Sequence, residues 1–365
     1  MNNTNINVRQ PLYSFVTHNS VVQQLIHNVY FISTVSILSI VISIMFYNVQ
    51  QKRMVLRVVK LYYYPIKSCR GIQIATARLN RLGIEYDRNW MIINPSTGKQ
   101  RTARELRKMT TIIPSFNTLQ DGTLQLILNG KYSTTSVSIP VIPPENSPSK
   151  DVNVWDNILK ASVYSCDVNT WLTEYLDTPC ELVTIDKGNV FSFERHLATD
   201  YTAANMNKQN NYSTSAFADG YPLLITTVAS LRDLNKKIKA DIGTNANDVL
   251  MEAFRPNIVV DAPSLRGWDE DNWEYITING IEIHTPKPCG RCTIPLIHPY
   301  DGTRNKEGQP IRSLRKYRTN KSMDAVIFGQ NGIHLSGGEI HVGDIVTIKR
   351  RLKPLIYHTK VDSDL

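Results

Sequence analysis

A chain of 365 residues has room for two domains, and 42% hydrophobic against 20% charged residues sets aside disorder for most of it. Five cysteines, a sparse and odd count, set aside a secreted disulfide scaffold and point to a reducing compartment. The net charge of +9 suits an anionic membrane face or an acidic protein; no nucleic acid partner is expected, because no aromatic–basic module, zinc-finger spacing or repeat accompanies it.

Residues 1–28 are rich in Asn and poor in charge, with little sign of a fold. Residues 29–47 (VYFISTVSILSIVISIMFY) carry no charge, no Gly and no Pro. As a helix this stretch would span about 28 Å, close to the hydrocarbon thickness of a bilayer, so a transmembrane anchor is expected. Its rivals are a buried soluble helix and a cleaved signal peptide, whose apolar region would be shorter. Lys52, Arg53, Arg57 and Lys60 follow the stretch and only Arg9 precedes it, which puts the body of the protein in the cytosol by the positive-inside rule.

Beyond the anchor, residues 55–64 (VLRVVKLYYY) read as a strand, and 71–79 alternate as a second one. Residues 88–93 form a strand that runs into the turn 94–98 (NPSTG). Residues 124–128 followed by Asn129-Gly130 give a hairpin signal, 140–149 (PVIPPENSPS) a loop, and 169–176 a short helix. Residues 186–220 are polar and irregular and predict a long loop. Order resumes at 223–226, followed by a helix over 230–239 with Ser230 as its cap and basic residues near its end. Strands are expected over 254–260, 275–283 and 343–349. The fold class is therefore α+β and strand-dominated: a β-rich domain over 55–180, a second over 186–350, and a tail over 351–365.

Cys289 and Cys292 form a C-x-x-C flanked by Pro286, Pro288 and Pro295, with no helical pattern behind it. A dithiol redox motif usually opens a helix, and a four-cysteine zinc site lacks its second pair, although His284 and His298 are available to complete one. Two small buried residues are the plain alternative. Lys67 and Ser68 follow an apolar strand at a point where sheet ends commonly carry ligand sites. Arg255 and Asn257 flank Pro256 in an apolar run, where a cation is costly unless it meets an anion or an internal carboxylate.

Taken in order, Tyr64-Pro65-Ile66-Lys67-Ser68-Cys69, Asp87-Arg88-Asn89-Trp90, Thr102-Ala103-Arg104, Phe254-Arg255-Pro256-Asn257, Arg291-Cys292 and Val342-Gly343-Asp344 resemble the MOSC-domain family, in particular its mitochondrial amidoxime-reducing components. The resemblance spans about 55–350 and implies an N-terminal MOSC-type β-rich domain followed by a MOSC β-barrel. It further implies a molybdenum cofactor (Mo-molybdopterin) whose metal is held by Cys292. Cofactor contacts would come from Lys67, Ser68, Arg88, Arg255, Asn257 and Arg291, with Thr227 standing where relatives carry Ser. Cys289 has no assigned role, and the insert 205–211 (NMNKQNN) departs from the family pattern.

The implied activity is reduction of N-hydroxylated compounds such as amidoximes and hydroxylamines. Electrons would come from cytochrome b5 and its NADH-dependent reductase, at the cytosolic face of the mitochondrial outer membrane. The alternative, drawn from the C-terminal part of molybdenum cofactor sulfurases, is a cofactor-binding or carrier protein without reductase activity. An Arg next to Cys292 would favour its thiolate.

Overall fold

The structure, a computed structural model, describes residues 55–155, 157–185 and 215–351, with scattered positions between Gln23 and Met45. The chain divides into two compact units, Met1–Val55 and Leu56–Leu365. In the first unit the described positions, among them Val29, Phe31, Leu38, Ile40 and Met45, are helical, and these apolar side chains are exposed. Among the described residues no helix is long and apolar enough to cross a membrane. Much of the expected anchor, the insert 205–211 and most of the tail lie outside the described residues.

The second unit is built round one large sheet. Its strands run in the order Val346–Arg351, Trp273–Ile278, Ile281–Gly290, Ala325–His334, Leu223–Thr227, Ile258–Asp261, Arg57–Tyr63 and Ile72–Ile74. The sheet then returns on itself. Val346 N–H donates to Leu56 O, Val58 N–H to Asp344 O, and Arg57 bridges Ile345. The strand Arg57–Tyr63 thereby joins both ends of the row and closes a barrel, which leaves few free edges. Among the described strands of this sheet only Leu223–Thr227 and Ile258–Asp261 run parallel, as a crossover through the helix Val228–Ile242 requires.

Alternation along the strands gives the barrel two apolar faces. Ile258 and Val260 point inward with Leu61, Ile225, Trp273, Ile276 and Ile283. Val259 points outward with Tyr62 and Tyr64 against Leu234, Ile238, Phe254 and Phe328. A second lobe holds the four-stranded sheet Trp90–Ile93, Glu181–Ile185, Asn157–Val163, Ser149–Val154 and the meander Ile112–Thr118, Leu124–Gly130, Ser136–Pro140. The helix Cys166–Leu176 inserts Val168, Leu172 and Leu176 between them, beside Trp90, Met109 and Leu128.

Several local expectations shift. Residues 71–79 form two strands, Ile72–Ile74 and Thr76–Asn80, which pair in different sheets. Asn129-Gly130 does not turn: it continues the strand Leu124–Gly130, pairing with Ile113 and Ile112. There a Cβ on Gly130 would overlap the Tyr175 ring. The tight turn is Asn279-Gly280, where both residues have positive φ and the expected strand 275–283 splits into Trp273–Ile278 and Ile281–Gly290. The helix of 230–239 begins two residues earlier, because Thr227 and not Ser230 is its N-cap: Thr227 Oγ1 accepts from Ser230 N–H at 3.1 Å.

Candidate functional site

Two turns bring the candidate residues together. After Tyr64 the chain bends through Lys67-Ser68, held by Lys67 N–H to Trp90 O at 2.9 Å and Cys69 N–H to Ile66 O at 3.1 Å. The short helix Met251–Phe254 stops at Arg255, its left-handed C-cap. Ser68, Arg88 and Arg255 all adopt positive φ, at 69°, 52° and 57°. Such backbone is unfavourable for side chains with a Cβ and collects at binding sites.

Lys67, Ser68, Arg88, Arg255 and Asn257 line one cleft together with Cys289 and Cys292. Thr102, Arg104, Trp155, Asp219 and Tyr221, which carried no expected role, complete its polar wall. Arg104 lay within one of the quoted motifs. Trp155 sits in a hairpin turn and Asp219 at the end of the stretch expected to be an irregular loop, and neither stood out in the sequence.

The cations differ in what already holds them. The Lys67 ammonium pairs with Asp219 and donates to Phe217 O at 2.7 Å. Burial works against ionisation of Asp219, but Lys67, the Trp155 N–H and Arg88 together hold its carboxyl well below the usual range. Arg88 pairs with buried Asp87, donates to Asn257 Oδ1 at 3.1 Å, and lies 4.5 Å from the Tyr64 ring centroid. Asn257 also accepts from Leu224 N–H and donates to Tyr62 O, so its amide ties two strands and Arg88 together at the cleft wall.

Arg255 is the least satisfied. Its guanidinium lies 4.2 Å from the same Tyr64 ring and Nη1 donates to Cys69 O at 2.5 Å. Among the described residues Nη2 has no partner. Burial, and then the neighbouring Arg88, push its pKa down to about 10. A buried cation with a spare donor at the wall of a cleft is suited to an anionic ligand.

The two thiols are not equivalent. Cys292 is exposed and Cys289 partly buried. The expected Arg291–Cys292 contact is replaced by another: Arg291 Nη1 donates to Cys289 Sγ at 3.3 Å, and Nη2 to Phe254 O at 2.8 Å. Burial raises the Cys289 thiol and Arg291 partly offsets this. Arg291 itself is absent from the cleft lining, as are His284, stacked on Tyr275, and His298, paired with Asp301 at 3.1 Å. Among the described residues no group of three His, Cys, Asp or Glu side chains could hold a metal by itself.

Thr227 lies apart from the cleft cations. It is fully buried, is not among the lining residues, and donates to Glu270 Oε2 at 2.9 Å while capping its helix. A buried carboxylate takes the hydroxyl that the sequence reading offered to a cofactor. Burial, and then Asp271, push the Glu270 carboxyl up to about 7.

The barrel, the lobe ahead of it and a basic cleft with two thiols between them define a class that comparison with known proteins makes plain. Residues 55–179 match the MOSC N-terminal beta barrel domain and residues 213–347 the MOSC domain, and the chain belongs to the MOSC-domain family. Mitochondrial amidoxime-reducing component 1 of Mus musculus is 29% identical over 301 residues, covering 79% of this chain and 81% of that protein. The Homo sapiens protein of the same name is 27% identical over 303 residues, 79% of this chain and 82% of its own. Molybdenum cofactor sulfurase of Oryza sativa subsp. japonica is 27% identical over 292 residues, 79% of this chain but only 33% of that protein.

Proposed function

We propose that the protein is a molybdenum-cofactor-dependent reductase of N-hydroxylated compounds such as amidoximes and hydroxylamines. The observation that carries the reading is the cleft itself: an exposed thiol and a buried guanidinium with a spare donor line the same opening. The donor set suits the cofactor. The soft Cys292 sulfur would ligate the metal, and Arg255, Ser68, Lys67 and Arg88 would face the anionic pterin phosphate.

When bound, the cofactor supplies a metal that cycles between oxidation states. The chain's own residues position and neutralise. Asp219 holds Lys67 in place, and Asn257 orients Arg88. Tyr64 sets the two guanidinium groups of Arg88 and Arg255 against its ring. For an amidoxime the reaction takes up two electrons and two protons, breaks the N–O bond, and yields an amidine and water. The electrons are assigned to cytochrome b5 and its NADH-dependent reductase, which the net charge of +9 would help to attract. Residues 29–47 are assigned to anchoring the protein in the mitochondrial outer membrane with the remainder facing the cytosol; the exposed apolar side chains of Val29, Phe31 and Met45 support this.

The test combines metal and pterin analysis of the purified protein with an NADH-coupled assay on benzamidoxime. Cys292→Ser should lose metal and activity, and Cys289→Ser should keep most of both; the reverse pattern moves the ligand to Cys289. The similarity to the rice sulfurase favours a second reading, a cofactor carrier. Bound cofactor without N-reduction in the coupled assay would select it.

A further inference from the structure

Trp155 occupies a position where its residue type is out of place. It lies in the turn between paired residues Val154 and Asn157, at φ 56°. Hairpin turns that need positive φ are usually given to Asn, Gly or Asp, and a bulky side chain there is an outlier. No core explains the choice, because Trp155 is 46% exposed.

The indole is nevertheless fixed from two sides. Its Nε1–H donates to Asp219 Oδ1 at 2.9 Å, and the Arg104 guanidinium lies 4.6 Å from its ring centroid. Trp155 and Arg104 line the same cleft as Cys292, with Leu224, Phe254 and Ile294 as apolar neighbours. A strained backbone, a pinned and exposed ring and a shared opening together describe an aromatic wall held ready for a flat partner.

We infer that Trp155, oriented by Arg104 and Asp219, is a specificity-determining residue that stacks on the planar ring of an uncharged N-hydroxylated substrate. This rests on the proposed reductase reading and adds to it a preference for flat aromatic over small aliphatic N-hydroxy compounds. Arg104 and Asp219 act through Trp155 as positioning residues.

The test is equilibrium binding to the oxidised, cofactor-loaded protein without an electron donor, so that no turnover is involved. Benzamidoxime and acetamidoxime are titrated into wild type, Trp155→Asn and Trp155→Phe, with metal and pterin content measured on each sample. Asn suits the positive φ, so the hairpin is kept. Trp155→Asn should weaken benzamidoxime about tenfold, the upper end of an aromatic pair, and leave acetamidoxime within about twofold. Trp155→Phe should restore most of the difference.

Equal weakening of both ligands, or no weakening of either, overturns the inference and makes Trp155 a strut between the lobe and the barrel. Loss of metal and pterin in Trp155→Asn also overturns it, since the indole would then serve the cofactor. Failure of wild type to bind benzamidoxime counts against it as well. If wild type binds benzamidoxime with the expected Trp155 dependence but does not reduce it, the reductase reading fails and the binding role of Trp155 stands.

Discussion

Replacing Arg255 with Met separates a residue kept for a ligand from one kept for the fold. Lowering its pKa from 12.5 to about 10 means that the folded, ligand-free protein holds this cation at a cost of about 3 kcal/mol. Met fills similar volume without the charge and relieves that cost. It also gives up the hydrogen bond to Cys69 O, worth about 1.5–3 kcal/mol for a charged donor. The two nearly cancel, so the urea midpoint of cofactor-free protein should change by less than about 2 kcal/mol equivalent. The loaded protein should behave differently. Losing one charge-assisted contact to the cofactor weakens retention by about ten- to a hundredfold. The assay is pterin and molybdenum retained after dialysis, with denaturation of stripped wild type and variant in parallel. A stripped variant several kcal/mol less stable that keeps its cofactor normally would refute the reasoning and make Arg255 structural.

The Glu270 carboxyl, raised from 4.5 to about 7 by burial and by Asp271, holds its proton in the folded state after the unfolded chain has released it. Its contribution to stability is therefore full below pH 4.5 and declines as pH rises towards 7; Glu270→Gln should flatten that part of a denaturation profile, and an unchanged slope would assign it to another group. Gly130→Ala should cost about 1–3 kcal/mol, because the new methyl meets the ring of Tyr175, which stacks on Trp171 and bonds Thr111; a neutral result in thermal melts would mean that the ring gives way. Deleting residues 29–47 should move the protein from the membrane pellet to the supernatant on cell fractionation without changing its cofactor content; a protein that stays in the pellet is not anchored there.

The sequence disclosed most where local chemistry and tertiary context agree. The strand Arg57–Tyr63 is apolar where both of its faces are buried, towards its C-terminal end, with Leu61 in the barrel and Tyr62 outside it. Of three Asn-Gly pairs, only 279–280 turns; 331–332 lies inside the strand Ala325–His334, and at 129–130 the lack of a side chain makes room for an aromatic ring from a helix some 45 residues away in sequence, a demand that no local pattern expresses. The cleft cations Lys67, Arg88 and Arg255 were legible from apolar settings and family motifs. Their internal partners were not: Asp219 reaches Lys67 across 152 positions, and Glu270 reaches Thr227 across 43. Nor was the setting of Thr227 legible: a Thr before a helical stretch is equally good as a cap, and the buried carboxyl group it bonds lies in another turn.

Closure of the barrel by Arg57–Tyr63 bears on how the chain is assembled. This strand leaves the ribosome before the lobe that follows it; only its C-terminal end finds a near partner, Ile72–Ile74, and its other neighbours are Ile258–Asp261 and the segment around Ile345. It must wait roughly 200 residues for Ile258–Asp261 and longer for the segment around Ile345, which favours slow folding and a long exposure of a partly unpaired strand. A fragment starting at residue 213, where the MOSC match begins, would lack that staple and would leave Ile258–Asp261 and Val346–Arg351 as open edges ready to join another chain.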